Sequence, residues 1–521
     1  MSNASALQRD AAGEFPPLQG AQLAMLTIAV ALATFMEVLD ITIVNVSIPA
    51  IAGSLGVSPA EGTWTVSSYS LAAAIMQPIT GWIGRRFGEV RTFVTSMVLF
   101  VLFSALCGFA TSMTMLVVAR LIQGLVSGPM VAIAQALLLR NYPPQKRGMA
   151  MGIWAMVVIV APICGPILGG WITDNLSWPW LFFINIPVGL FGAVVTWNIL
   201  KNRESQLMTV PIDLVGLCLL VIGVGCLQYT LDNGNEYDWF ESSRIILTTV
   251  VAVVALIYLV VWELTDKHPV LDLHLFNERN FLMGTLAISF GYFAFFGINV
   301  VFPLWLQTDL GYTASDAGLA MAPIGIFAMM VAPFVGKNIH RLNLRLTASL
   351  AFIIFGICSF WSATLNNQAT FAQLASPRLW QGIGMPMFFL PLNAILLSHV
   401  KPSELAAASG LSNFMRTLAG SISTALSIFL WNHRTEVHHA TLTEHVRFDS
   451  AGWQHYQGIL SNGGLTDQQT LGVTNYIVNQ QASTMAANDL YWLFAIVFIS
   501  LIPLIWLCKP PFAGHGGMGG H

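Results

Sequence analysis

Apolar residues in this chain of 521 come in long uninterrupted runs, with neither the two-residue alternation of a half-buried strand nor the stripe of a surface helix. Runs of about 17 to 25 residues or more can cross a bilayer as helices. Fourteen are predicted, near 22–49, 62–83, 92–112, 114–138, 148–172, 179–200, 213–231, 245–264, 281–308, 315–336, 346–364, 371–398, 404–431 and 488–508. A polar loop, 432–487, separates the last two, and its stretches 435–446 and 467–485 have the pattern of short helices.

Composition agrees: 55% of residues are hydrophobic and 9% charged, against about 25% charged in a soluble domain. A net charge of −3 supplies no basic footprint for nucleic acid. All six cysteines fall in or at the end of apolar runs, so no disulfide framework is expected. Residues 1–21 read as a soluble tail and 509–521 as a flexible one.

Basic residues favour cytoplasmic loops. Arg9, Arg85, Arg86, Arg91, Arg140, Lys146, Arg147, Lys201, Arg203, Lys267, Arg279, Lys337, Arg341, Arg345, Lys401 and Lys509 all fall on one side of the predicted topology, 16 of the 22 Lys and Arg. Both termini are therefore expected to be cytoplasmic, with 432–487 on the far side.

An internal repeat fixes the organisation. Arg120-Leu-Ile-Gln-Gly124 returns as Arg378-Leu-Trp-Gln-Gly382, each followed by Pro-Met, at 129–130 and 386–387. Two parallel six-helix repeats are predicted, 22–200 and 280–508, with two inserted helices within 201–279; such repeats place a substrate site between the halves at mid-membrane.

The first run carries two carboxylates, Glu37 and Asp40, one helical turn apart and on a face continued by Val44 and Asn45. A charge at mid-bilayer costs about 2.5–3.5 kcal/mol on insertion scales, so such groups face a cavity or a partner. Burial and a nearby guanidinium pull a carboxyl in opposite directions, the poise that lets it take and release a proton. Asp40 is read either as a proton-coupling acid or as half of a fixed pair with Arg120. Glu37 is read as a second proton site, a contact for a cationic substrate, or a water-facing residue. Arg120 needs a partner, for which Asp40 is expected, and stays charged throughout. Arg378 has no central acid opposite it, with Asn299 and Gln307 as its expected neighbours.

Ala161, Gly165 and Gly169 form a small-residue stripe that admits a second helix, and Pro162 and Pro166 interrupt the backbone ladder. The pattern suits a gate, or ordinary close packing. The lumen between halves is expected to hold Asn45, Trp64, Met76, Met156, Phe295, Asn299, Trp305, Arg378, Gln381, Met385, Phe388 and Arg416. Met and aromatic surfaces suit promiscuous apolar binding, although packing or lipid contact is the alternative at each position. His438, His439 and His445 are read as a solvated helix in the outer loop, with no metal site.

Several of these motifs resemble those of the major facilitator superfamily. The Gly-Pro stripe is similar to its antiporter motif, Arg120–Gly124 to its fourth-helix motif, and Leu39-Asp-Ile-Thr-Ile-Val-Asn-Val-Ser-Ile-Pro49 to the first-helix motif of its fourteen-helix drug:proton antiporters. Asn141-Tyr-Pro-Pro, Trp178-Pro-Trp-Leu-Phe-Phe-Ile-Asn-Ile-Pro187, Leu411–Gly420 and Lys509-Pro-Pro-Phe resemble the pumps of tripartite efflux systems within that family.

The resemblance implies an all-α major facilitator fold and export of hydrophobic drugs in exchange for protons across a bacterial inner membrane. It also implies a periplasmic adaptor of the EmrA type and an outer-membrane channel of the TolC type. On it, Asp40 becomes the proton-linked acid, Arg120 its neighbour and Gly165-Pro166 the antiporter kink, with the proton as coupling ion and no cofactor. The stretch Gly81-Trp-Ile-Gly-Arg-Arg-Phe-Gly-Glu-Val-Arg91 resembles the superfamily's cytoplasmic gating loop, comprising Gly81, Arg85, Arg86, Gly88 and Glu89, but Arg85 stands where an Asp is usual, and Glu89 is the expected substitute.

The alternative on the same fold is a dedicated exporter of one metabolite, peptide or siderophore. No HExxH, P-loop or Ser/His/Asp set supports an enzyme or an ATP-driven pump. A non-transporting sensor would leave the repeat unexplained. The length of 432–487 makes that loop the expected adaptor contact, with a cap over the lumen as the alternative.

Overall fold

The computed structural model describes residues 15–512 except 144, 145, 205, 206, 208–210, 212, 235, 236, 238, 267, 268, 340, 401–404, 447, 448 and 450. Regular structure among the described residues is helical throughout. The first group is α1 Gly20–Ile43, α2 Trp64–Met76, α3 Thr80–Phe87, α4 Glu89–Gly108, α5 Met113–Ser127, α6 Met130–Asn141, α7 Arg147–Asn175 and α8 Asn185–Leu200. Next come α9 Leu214–Asn233 and α10 Ser243–Thr265. The last group is α11 Arg279–Thr308, α12 Ala314–Met321, α13 Ile324–Asn338, α14 Leu344–Ser362, α15 Phe371–Leu396, α16 Leu405–His445, α17 Ala451–Asn462 and α18 Asp467–Ser500.

Twelve helical stretches among the described residues are long and apolar enough to cross a membrane. The α2–α3 pair and α7 are not among the twelve, although the apolar runs near 62–83 and 148–172 fall on them.

Packing follows the chain. Helix α1 lies against α7 and α8, α2 against α5, and α4 against α5 and α8. In the second group α11 lies against α16, α13 against α15, and α14 against α15 and α18. Helices α9 and α10 pair with each other, and α9 also touches α2 and α16. The groups meet where α7 packs on α12 and α2 on α16.

Prolines set several of the breaks, because a proline has no N–H for the carbonyl four residues back. Helix α1 stops at Ile43, passes through a 3-10 turn at Asn45–Ser47 and resumes as Ile48–Leu55 with Pro49 in its first turn. The continuous face expected through Val44 and Asn45 is therefore interrupted just beyond Asp40. Pro78, Pro129 and Pro323 sit in the α2–α3, α5–α6 and α12–α13 breaks. By contrast, α7 stays helical through both Pro162 and Pro166.

The stretch 432–487 is helical where 435–446 and 467–485 are expected to be, but these are continuations of long helices and not separate short ones. Helix α16 runs 41 residues to His445 and α18 starts at Asp467 and runs 34, so most of this segment extends the flanking helices. Side chains lock the two together: Asp489 Oδ2 lies 2.6 Å from Arg434 Nη2 and 2.7 Å from His438 Nε2, and the Trp431 indole donates to Ser483 O at 3.0 Å. His439 pairs with Asn475 Oδ1 at 3.0 Å, and the His445 side chain lies outside the described residues.

Candidate functional site

Asp40 sits in the last turn of α1, wholly buried, and forms an ion pair with the equally buried Arg120 of α5 through Oδ2 and Nη1. Its other oxygen accepts from Asn185 Nδ2 of α8 at 2.8 Å. Arg120 spends its remaining donors nearby, Nε on Thr65 O at 3.0 Å and Nη1 on Gln123 Oε1 at 2.9 Å. The Tyr69 ring lies against the guanidinium, 4.3 Å from its carbon, with Phe182 at 5.4 Å. Four helices, α1, α2, α5 and α8, thus converge on one ion pair. A buried pair is tolerated when further hydrogen bonds satisfy both ions, and here both oxygens of Asp40 are used.

Glu37 lies one turn earlier on α1 and is 5% exposed. Its Oε2 is buried with no hydrogen-bond partner. The acid pair is therefore asymmetric: Asp40 is saturated and Glu37 is not. Asn45 is buried too, its Oδ1 likewise without a partner.

Arg378 reproduces the repeat. Its Nη1 donates to Gln381 Oε1 at 2.9 Å and its guanidinium carbon lies 4.2 Å from the Phe302 ring centre. Nε and Nη2 are buried without partners. The neighbours expected from sequence are otherwise engaged, Asn299 donating to Phe295 O at 2.7 Å and Gln307 to Pro303 O at 3.0 Å. Both are bonds back along their own helix, as amides in apolar helices make when nothing else is in reach.

Several residues expected in the lumen lie in the packing of the second group. Trp305 is fully buried, and its indole donates to Thr484 Oγ1 at 2.9 Å. Phe295 and Phe388 join Phe355, with ring centres 6.0 and 5.8 Å from it, and Met385 is buried in the same core. Large apolar side chains fill a bundle interior as readily as a cavity wall, and residue type does not separate the two. Trp64 and Met76 are half-buried on α2. So is Arg416 on α16, between Tyr292 at 5.6 Å and Phe389 at 5.7 Å. The side chain of Met156 lies outside the described residues.

The small-residue stripe brings two partners to α7. A Cβ at Gly165 would meet Thr42, and one at Gly169 would meet the Ile43 carbonyl, so α1 seats on the stripe. On the other side Gly170 abuts Ala314 O and Gly318 abuts Pro166 O, which closes α7 on α12. Asp174 Oδ2 accepts from Ser315 N at 2.7 Å beside that contact.

In the 81–91 stretch Gly81, Arg85 and Arg86 are exposed. Glu89 pairs with Arg140 Nη1 at 2.5 Å. Glu204 accepts from Val90 N at 2.9 Å and Arg91 N at 3.0 Å, at the start of α4, where backbone N–H groups need partners. Gly88, with φ 94°, has the conformation glycine permits, and a Cβ there would meet Glu204. The second carboxylate was not expected, being more than a hundred residues from the loop in sequence.

The sequence profile described as Major Facilitator Superfamily matches residues 30–424. The chain belongs to that superfamily. Multidrug export protein EmrB of Haemophilus influenzae is 48% identical over 504 residues, 96% of this chain and 99% of that protein. EmrB of Escherichia coli K12 is 48% identical over 505 residues, covering 97% and 99%. Fatty acid resistance protein FarB of Neisseria gonorrhoeae is 45% identical over 508 residues, covering 98% and 100%. Among solved structures, an auto-inhibited POT family peptide transporter superposes with a TM-score of 0.62 at 14% identity, covering 94% of this chain and 96% of its own. An inward-facing bacterial homologue of the lysosomal transporter Spinster gives 0.59 at 13%, covering 95% and 100%. These structures share the major facilitator fold.

Within the superfamily fold, the sequence motifs left out the shell around the ion pair. Asn185 and Gln123 lie inside the 178–187 and 120–124 motifs, yet their part in holding Asp40 and Arg120 follows from the convergence of α1, α5 and α8. Thr65 contributes a carbonyl, for which side-chain identity gives no signal.

Proposed function

We propose that this protein is a proton-coupled multidrug efflux antiporter of the bacterial inner membrane, with fourteen spans, α2–α3 and α7 making up the count, and both termini cytoplasmic. The observation that carries it is the pair of membrane-buried acids on α1, Asp40 held by Arg120 and Asn185, and Glu37 with a free oxygen one turn away. Moving one proton inward down the membrane potential releases about 2.3 kcal/mol per 100 mV. Protonating either acid alters the charge balance around Arg120, which sits beside the α1–α7 seat. From there the change reaches the α7–α12 contact between the halves.

The relatives named for multidrug export and fatty acid resistance support apolar compounds of varied structure as cargo. Half-buried Trp64, Met76 and Arg416 are the lumen contacts this reading keeps. The helical extension of α16 and α18 with α17 between them, exposing Ile459 of α17 and Leu471 and Tyr476 of α18, is the surface for a periplasmic adaptor of the EmrA type, itself joined to a channel of the TolC type. Removing α17 with the outer ends of α16 and α18 should abolish adaptor co-purification while the protein remains in the membrane.

The test is transport into vesicles, with and without a pH gradient, of several unrelated apolar compounds and a long-chain fatty acid. Gradient-driven movement of many of them supports the reading. Movement of a single compound favours a dedicated exporter, and movement indifferent to the gradient removes proton coupling.

A further inference from the structure

Helix α9, one of the two inserted helices, brings a carboxylate to the junction of the halves. Asp232 lies near its end, half-buried, and accepts from Ser67 Oγ of α2 at 2.9 Å and from Gln228 Nε2 at 2.9 Å. The cluster continues into α16. Ser421 Oγ is 3.2 Å from Ser67 O and 3.1 Å from Gln228 Oε1, and Gln228 Nε2 is 3.5 Å from Ser421 O. Ser67, Gln228 and Ser421 are buried. One acid therefore ties an N-terminal helix, an inserted helix and a C-terminal helix together.

Among the described residues, no Lys, Arg or His forms an ion pair with it. The other charged or titratable groups of the elements packed here are engaged elsewhere or exposed. Tyr69 of α2 lies under Arg120; Arg416 of α16 lies between Tyr292 and Phe389; His433 of α16 stacks on Phe429 at 5.9 Å. Arg244 of α10 lies 5.9 Å from the Tyr237 ring, and Glu241 of the 3-10 turn between α9 and α10 is exposed. Asp232 thus is not sealed within the packing and, among the described residues, lacks a countercharge.

An ionised carboxylate only accepts hydrogen bonds, whereas a protonated one donates and accepts more weakly. Bonds to the ionised form are roughly twice as strong as neutral ones. Ser67 and Ser421 belong to helices on opposite sides of the interface between halves, so any rocking of one half against the other must loosen this cluster. We propose that Asp232 is a further proton-binding site, apart from the acids of α1 and carried by the inserted helices, whose protonation releases the α2–α9–α16 junction during the transport cycle. Release during the transport cycle rests on the antiport reading; the titration of the junction does not.

Hydrogen–deuterium exchange of the full-length protein in nanodiscs, at mildly acid and mildly alkaline pH and corrected for intrinsic exchange, tests this. Losing one hydrogen bond to a charged group corresponds to about a tenfold change in a local opening equilibrium. In the wild type, amides of α2 and α16 around Ser67 and Ser421 should open about tenfold more at acid pH. Asp232→Asn should open to that extent at both pH values, and Ser67→Ala should do so at alkaline pH with the carboxyl intact. A wild-type pH response in Asp232→Asn would overturn the proposal, and so would full alkaline protection in Ser67→Ala should the Asp232 variant not fold. An Asp232-dependent response in a protein that moves no compound under a pH gradient would uphold this site and sink the antiport reading.

Discussion

Arg120 and Arg378 each donate from Nη1 to a glutamine three residues on, at 2.9 Å in both halves, yet only Arg120 has a carboxylate. The repeat preserves the scaffold while its charge differs. Arg120 meets Asp40, and Arg378 meets the face of Phe302 with two of its nitrogens unpaired.

Removing one member of a buried ion pair strands the other, which costs about 3–5 kcal/mol. Arg120→Met should lose that much in denaturant unfolding in micelles. Arg378→Met leaves no buried counterion behind and should stay within about 1 kcal/mol of wild type. Equal losses would contradict the asymmetry.

The contact of Gly318 with Pro166 O leaves no room for a side chain. Gly318→Val should hold α12 off α7, costing about 1–3 kcal/mol through overpacking and lowering export at normal membrane levels. Gly336→Val, where a Cβ meets nothing within 4 Å, is the control and should export normally.

Asp309 follows α11 and lies outside the membrane spans. Burial raises its carboxyl above the ordinary value of 3.8 despite donors from Ser483 and Thr308. A raised folded-state value means stability is fully present below that ordinary value and is lost as pH climbs through the folded one. Asp309→Asn should therefore melt higher than wild type at neutral pH and match it at acid pH. Thermal melts across a pH series check this, and a variant less stable at neutral pH would refute it.

Sequence carried twelve of the fourteen apolar runs and the partnership of Asp40 with Arg120, because each rests on residues whose burial is costly unless explained. It carried helix at 435–446 and 467–485 but not the continuity of these stretches with the flanking spans, since helix can continue past an apolar run once polar residues pair across it, as Arg434 and His438 do with Asp489. Nor did it separate lumen from core among aromatics such as Trp305 and Phe388, whose type suits both. Asp232 fell just past a run drawn to end at 231. An acid there reads as a span boundary until α2 and α16 are seen beside it.

The central claim is that the acids of α1 couple proton entry to export, and proteoliposome transport of a fluorescent apolar substrate under an imposed pH gradient tests it most directly. Asp40→Asn and Glu37→Gln, each shown to be folded, should lose the gradient-driven component, falling to the rate the wild type shows without a gradient. Wild-type export by both variants under the gradient would contradict the account.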